Sequence, residues 1–334
     1  MNFNAFAAAE ASAQFAPFAY PPKPLSHLDL EIEITHCGIC HSDVHLWQND
    51  WGITHFPFVP GHEIVGIVQK RGKNAKQFEI GDRVGVGWQC GSCHKCEFCD
   101  RGEENLCDRK KATCVKNHGG FADKIRVDHR FAFKIPGALS SAGAAPLLCG
   151  GITVYTPLRD FGVSSEMKVG VVGVGGLGHL AIQFAGAMGC EVTAFSTSPN
   201  KESEAKKFGA HHFVDSRNRE KMKKTQRSLD FILTTVFADL DWRVYVNALR
   251  PRGKLCFVGV PEQPITISPS QLIEGQRSIC GSPIGGRVMM QEMLQFAARH
   301  KIEAQIETLP FSEVNAAMAK VRDSQARYRV VLKN

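Results

Sequence analysis

Residues 29–35, "DLEIEIT", alternate polar and apolar positions, the period of a half-buried β-strand. "HEIVGIVQKRG" and "GDRVGVGW" predict two further strands around a polar turn at 72–76, and "GGFADKIRVD" predicts another. Between the first two lies 37–45, expected as a polar loop rich in Cys and His. The first 150 residues therefore read as mostly β. After Gly150 the texture changes. "KVGVVGVGGLGHLAIQFAGAMG" predicts a strand, a glycine turn and a helix. "CEVTAFS", "HHFVD", "LDFILTTV" and "GKLCFVGV" predict four more strands, with helical "NKESEAKKFG" and "DWRVYVNALR" among them. Strands alternating with helices imply a parallel sheet covered on both faces. From about 286 come a helix "RVMMQEMLQFAARHK", a strand near "IETLPF", a helix "SEVNAAMAKVRDSQ" and a closing strand "RYRVVL".

A chain of 334 residues accommodates two domains of ordinary size, and 22% charged with 43% hydrophobic residues is ordinary globular composition. The net charge of +7 comes from Lys and Arg spread along the chain. The densest cluster, "KMKKTQR" from 221, lacks interleaved aromatics, so no nucleic-acid partner is expected. Two stretches without charge, 135–158 and 169–190, are broken by Pro136, Pro146 and Pro157 or by clustered glycines, so no membrane span is expected. The N-terminal stretch has no basic start and carries Glu10, which argues against a signal peptide and for a cytoplasmic protein. Of 12 cysteines, five fall between 90 and 107, a clustering that favours metal binding over a disulfide framework.

Gly173, Gly175 and Gly178 form a G-x-G-x-x-G turn after a strand and before a helix, with Gly176 and Leu177 inside it. In that context the turn brings backbone close to a pyrophosphate, and the helix start offers free N–H groups to it. An NAD site carries an acidic residue at the end of the next strand. Here "FSTSPNK" supplies Ser196, Thr197, Ser198 and Lys201, hydroxyls and a cation suited to a 2′-phosphate. The expected cofactor is NADP(H).

Ligand-type residues also stand outside the cysteine run: Cys37, Cys40, His41, Ser42, Asp43 and His45 in "CGICHSDVH", His62 and Glu63 in "PGHEIVG", Cys149 in "PLLCGG". Two thiolates and one imidazole leave a fourth tetrahedral position on zinc open to substrate. "GHEIVGIVQKRGKNA", placed before the glycine turn, resembles the zinc signature of the medium-chain alcohol dehydrogenases. "CGICHSDVH", "NDWG", "PLLCGGITVY", "VGVGGLGHLAIQFA", "STS" with Lys201, and "RYRVV" resemble their cinnamyl alcohol dehydrogenase subfamily.

The resemblance implies a Rossmann doubly wound parallel sheet plus a GroES-like β-rich catalytic domain, the active site lying in the cleft between them. The domains would span 1–150, with a structural zinc lobe at about 90–107, then 151–285, with 286–334 returning to the first. It implies Cys40, His62 and Cys149 as catalytic zinc ligands, Glu63 behind the metal and able to enter its coordination transiently, Asp43 orienting His62, and Ser42 and His45 as a proton relay. Cofactor contacts would extend to Val258, Gly259, Val260, Ser282, Ile284 and Arg329. Trp51, Trp88 and Ile284 are candidate walls of an apolar substrate pocket. The implied enzyme interconverts primary alcohols and aldehydes, aromatic or of broad range, by hydride transfer with NADP(H), as a homodimer pairing through "RSICGSPI". The alternative is a non-catalytic protein of the same fold that binds NADPH and zinc.

The run "CGSCHKCEFC" allows more than one grouping. Cys90, Cys93, Cys96 and Cys99 imitate a ferredoxin string, but such strings have three residues before the last Cys and a Pro after it; here there are two, and Asp100 follows. The resemblance selects the frame Cys93, Cys96, Cys99 and Cys107, a structural zinc site closed to substrate, giving two Zn2+ per chain with Cys90 as a spare. Cys190, Cys256 and Cys280 are expected in the core, and His41, His211 and His212 in packing or surface roles.

Overall fold

The computed structural model describes residues 2–334 and divides into two compact units, Met1–Ile152 with Gly285–Asn334, and Thr153–Ile284.

The first unit opens on an antiparallel hairpin of β1 (Phe3–Ala7) and β2 (Ala16–Tyr20), which the hydrophobic pattern does not predict. Its small alanines carry little strand signal, and the hairpin is tied down at long range, Phe6 N donating to Phe121 O at 2.8 Å. Next come β3 (Asp29–Ile39), β4 (Glu63–Arg71), β5 (Arg83–Val86), the short pair β6 (Gln89–Gly91) and β7 (Lys111–Ala112), then β8 (Lys124–Asp128) and β9 (Ala132–Lys134). The alternation of β3 buries Leu30, Ile32 and Ile34 as expected, but Glu31 is also only 3% exposed. Arg126 on β8 and Lys70 on β4 flank it, Lys70 Nζ at 2.8 Å and Arg126 Nε at 2.7 Å, so the carboxylate is buried paired. Burial works to raise the Glu31 pKa, yet hydrogen bonds from Lys70 and Arg126 hold it below the usual carboxylate range. A depressed folded pKa contributes stability above the unfolded value of about 4.3 that disappears as pH falls through the folded one. Glu31→Gln is expected to lower the melting temperature at pH 7 and to narrow its gap to the parent below about pH 4, read by thermal melts across pH.

The second unit carries β10 (Lys168–Val172), β11 (Glu191–Ser196), β12 (His212–Asp215), β13 (Leu229–Thr234), β14 (Leu249–Phe257) and β15 (Ser278–Gly281). All pair in parallel, in the order β12-β11-β10-β13-β14-β15. Strand order reverses between β10 and β13, the crevice where doubly wound sheets bind dinucleotides. Val172, Phe195, Ile232, Tyr245 and Leu255 belong to one buried cluster of this unit. Cys190 and Cys256 are buried, and Cys280 on edge strand β15 is partly exposed.

The chain then returns to the first unit through the helix Arg287–His300, β16 (Ile306–Pro310), the helix Val314–Arg322 and β17 (Arg329–Lys333). The resulting sheet runs β16-β17-β3-β4-β5-β9, with β8 also on β3. Its register positions the site. Gly38 on β3 faces Glu63 on β4, and Val330 on β17 faces Ile39, so the end of β3, the start of β4 and the start of β17 meet at one point. Among the described residues no helix is long and apolar enough to cross a membrane.

Candidate metal and cofactor sites

The stretch 37–45, expected as a loop, is the end of β3 followed by the helix His41–Gln48. Cys40 is its N-cap in extended conformation, and Asp43 in the first turn accepts from Cys40 N at 2.9 Å. A carboxylate capping the start of a helix is favourable, and that local gain overrides the loop-like composition. Cys37 points the other way, fully buried against the Gly61 and Gly120 backbone, and takes no part in the cluster.

Cys40, His62, Glu63 and Cys149 bring one ligand atom each within 4.8 Å of one another, all buried. Cys149 arrives from a separate segment at the end of the turn Ala145–Leu148, whose Leu148 packs on Gly85 of β5. The Cys40 and Cys149 sulfurs lie 3.9 Å apart. Two sulfurs each about 2.3 Å from one tetrahedral zinc stand about 3.8 Å apart, so the pair fits. The hydrogen bond from Cys149 holds the Cys40 thiol well below its usual pKa and Cys149 correspondingly above. The thiols thus share a charge that a cation would balance.

His62 supplies the sharper test. Its Nδ1 lies 3.0 Å from Asp43 Oδ1, which fixes the proton there, while its Nε2 is buried with no hydrogen-bond partner among the described residues. A buried unpartnered ring nitrogen costs about 1–3 kcal/mol unless something absent from the chain accepts its lone pair. Glu63 Oε2 is likewise buried and unpartnered, while Oε1 pairs with Arg329. Burial lifts the Glu63 carboxyl to about 7, against the pull of the Arg329 guanidinium. Arg329, expected among the cofactor contacts, is 6% exposed inside the first unit, at the start of β17 against Glu63. Cys114, not singled out in the sequence, stands 4.0 Å from His62 Nδ1. That nitrogen already donates to Asp43, so Asp43, His62 and Cys114 do not form a second metal site.

Ser42 Oγ is 3.7 Å from Cys40 Sγ. His45, one turn along the helix, pairs through Nδ1 with Asp50 Oδ2 at 2.7 Å and stacks on Trp51 with centroids 5.3 Å apart. Asp50 is absent from the sequence-based site. It folds back because Asn49 takes a left-handed conformation, φ 59°, at the helix end, and Asn is a residue that tolerates it. Trp88 lies edge-on to His62 at 4.8 Å and to Trp51 at 6.4 Å, giving the cluster an aromatic flank.

Cys93, Cys96, Cys99 and Cys107 also converge within 4.8 Å, with Cys96 and Cys99 sulfurs 3.5 Å apart. Cys90 is outside this group, its sulfur 3.8 Å from Asn117 Nδ2. Four thiols with no other ligand type fit a closed zinc site. Cys93→Ser is expected to lower the zinc content by one per chain, while Cys90→Ser leaves it unchanged, measured by elemental analysis of the purified proteins.

In the second unit the expected cofactor residues follow the carboxyl ends of the strands: Gly173–Gly178 after β10, Ser196 to Ser198 at β11, Val258 to Val260 after β14, Ser282 and Ile284 after β15. Gly173 has φ 94°, and a Cβ on Gly178 would come within 1.8 Å of Gly173 O. A Cβ on Gly175 would meet nothing within 4 Å, the open approach a pyrophosphate requires. Ser198 N donates to Ser196 Oγ at 3.1 Å, and Lys201 Nζ to Val174 O at 2.7 Å, which holds the ammonium beside the glycine turn.

A dinucleotide crevice in one unit and a two-thiol, one-imidazole cluster in the other define a metal-dependent dehydrogenase. Residues 26–137 match the alcohol dehydrogenase GroES-like domain and residues 176–299 the zinc-binding dehydrogenase domain. The chain is 43% identical over 329 residues to aldehyde reductase AdhA of Synechocystis, covering 98% of each. It is 42% identical to cinnamyl alcohol dehydrogenase 2 of Arabidopsis thaliana, covering 98% of this chain and 90% of that one. Among solved structures it superposes on the cinnamyl alcohol dehydrogenase SbCAD4 of Sorghum bicolor with TM-score 0.95 and 36% identity, covering 100% of this chain and 98% of that one. The cinnamyl alcohol dehydrogenase of Helicobacter pylori, solved with NADP(H), gives TM-score 0.92 and 34% identity, covering 100% and 99%. The chain belongs to the zinc-binding alcohol dehydrogenases, in their cinnamyl alcohol dehydrogenase branch.

Proposed function

We propose that this chain interconverts primary alcohols and aldehydes, aromatic substrates included, with zinc and NADP(H). The observation that carries the reading is the buried, unpartnered His62 Nε2 beside the Cys40 and Cys149 thiols. Cys40, His62 and Cys149 hold the catalytic metal, and Asp43 keeps His62 in the tautomer that leaves Nε2 free. When bound, zinc polarises a carbonyl oxygen and the nicotinamide supplies the hydride. Ser42 carries the proton at the substrate oxygen. His45, 34% exposed and fixed by Asp50, exchanges that proton with solvent. Glu63 stays behind the ligands, restrained by Arg329. Trp88 and Trp51 offer apolar faces that suit an aromatic ring.

The expected NADP(H) preference rests on Ser196, Thr197, Ser198 and Lys201 and gains support from the NADP(H) complex of the Helicobacter relative. Lys201→Glu is expected to weaken NADPH by about ten- to a hundred-fold, the scale of a lost charged contact of about 1.5–3 kcal/mol. NADH should be affected much less, as read from kcat/KM for each cofactor. We further propose a cytoplasmic homodimer that pairs through β15, the edge strand of the parallel sheet.

The test is steady-state oxidation of NADPH and NADH with cinnamaldehyde, benzaldehyde and short aliphatic aldehydes. The reading expects turnover with aromatic aldehydes and faster rates with NADPH. Stoichiometric NADPH binding without turnover of any aldehyde would instead mark a binding protein.

A further inference from the structure

The four-thiol lobe is joined to the start of the helix Arg287–His300, where the chain re-enters the first unit. Glu104, three residues before Cys107, is 0% exposed. Its carboxylate accepts from Arg287 N at 3.0 Å through Oε2 and from Arg287 Nε at 2.6 Å through Oε1. Burying an ionised carboxylate is costly unless its partners are close and well directed, and both are. The N-cap of this helix is Gly286, which has no side chain to cap with, so the Glu104 carboxylate stands in as cap and as the negative charge at the helix start.

Glu104 is itself fixed by the lobe: its carbonyl accepts from Gln89 Nε2 at 2.8 Å and from Cys107 N at 3.1 Å. A separate observation agrees. A Cβ on Gly286 would fall 1.9 Å from Gly102 O, so the returning backbone lies directly on the lobe. Only residues 282–286 separate this anchor from β15, and at the other end Ser282 N is tied to Phe257 O at 3.0 Å. The connection is short and held at both ends, and it carries Ser282 and Ile284, two of the expected cofactor contacts.

We infer that Glu104 is a positioning residue for the cofactor: through Arg287 and Gly286 it fixes the 282–286 connection, so that the metal lobe, far from inert, sets NADPH affinity. This role rests on the NADP(H) reading above. Glu104→Gln keeps the volume but turns one acceptor into an NH2 group facing an Arg287 donor. Gly286→Ala disturbs the same anchor without altering charge. Glu103→Gln is the control, since Glu103 lies in the same lobe but is 48% exposed and pairs with Arg101 at the surface.

The experiment measures NADPH dissociation by fluorescence titration, zinc content, and hydrogen–deuterium exchange of the full chain. The first two variants should bind NADPH at least about five-fold more weakly, with kcat at saturating NADPH within about two-fold of the parent. They should retain both zinc ions and show faster exchange confined to the 282–290 region, while Glu103→Gln matches the parent. Unchanged affinity or unchanged local exchange in Glu104→Gln overturns the role. So does zinc loss or faster exchange throughout the chain, which would make Glu104 a general stability residue. If the parent itself binds no NADPH, the cofactor reading fails and this role with it, a result told apart because it appears without any substitution.

Discussion

Cys149→Ser is expected to reduce aldehyde turnover by at least about three orders of magnitude, because polarisation of the carbonyl by a metal is worth several kcal/mol and each 1.4 kcal/mol is about tenfold in rate. The substitution is nearly isosteric, but a serine hydroxyl is a poor replacement for thiolate on zinc. It also removes the partner 3.9 Å from Cys40 Sγ with which that thiol shares its charge. Zinc content should fall by one per chain, because Cys93, Cys96, Cys99 and Cys107 form a separate cluster. NADPH binding should persist. Activity assay, elemental analysis and cofactor titration on one preparation separate these effects.

The second large effect is expected at Asp43. Its two carboxylate oxygens serve three donors: His62 Nδ1 at 3.0 Å and Gly61 N at 2.9 Å on Oδ1, and Cys40 N at 2.9 Å on Oδ2. Asp43→Asn keeps only one acceptor oxygen. Whichever way the amide turns, its NH2 faces a donor, so either His62 or the cap at Cys40 loses its partner. Both outcomes disturb a metal ligand, and loss of such a support weakens metal binding by about 10- to 100-fold. Competition with a chromogenic chelator should show this loss for one zinc ion and leave the other unchanged. A melting temperature lower by several degrees should accompany it, since a donor is left unpaired in a fully buried site.

The two metal clusters and the cofactor crevice differ in how far the sequence discloses them. The crevice is a local code: β10, its glycine turn and the following helix are contiguous, and Gly173, Gly175 and Gly178 report their backbone geometry by residue type. The four-thiol lobe is nearly as local, although spacing alone left two frames open and resemblance to a family chose between them. The Cys40–His62–Cys149 cluster has no local spacing at all. It forms because β3 pairs with β4 in the register that sets Gly38 against Glu63, and because Leu148 docks on β5.

Partners that depend on tertiary pairing were the least legible. That Arg329 also pairs with Glu63 follows only from the alignment of β17 with β3, which no local pattern announces. Glu104 and Arg287 are 183 positions apart in the chain and meet only after the second unit has been traversed. The stretch 37–45 looks like a loop because its Cys, His, Ser and Asp are poor helix formers. Its helical conformation follows from capping by Asp43 and from burial of Val44, Leu46 and Trp47.

The central claim is that Cys40, His62 and Cys149 hold a zinc ion distinct from that of the four-thiol lobe. Anomalous diffraction from crystals of the zinc-loaded protein, recorded on both sides of the zinc absorption edge, tests it most directly. Two peaks per chain are expected, one among Cys93, Cys96, Cys99 and Cys107 and one between the Cys40 and Cys149 sulfurs and His62 Nε2. A single peak at the four-thiol lobe, in protein that nevertheless reduces aldehydes at full rate, would contradict the account.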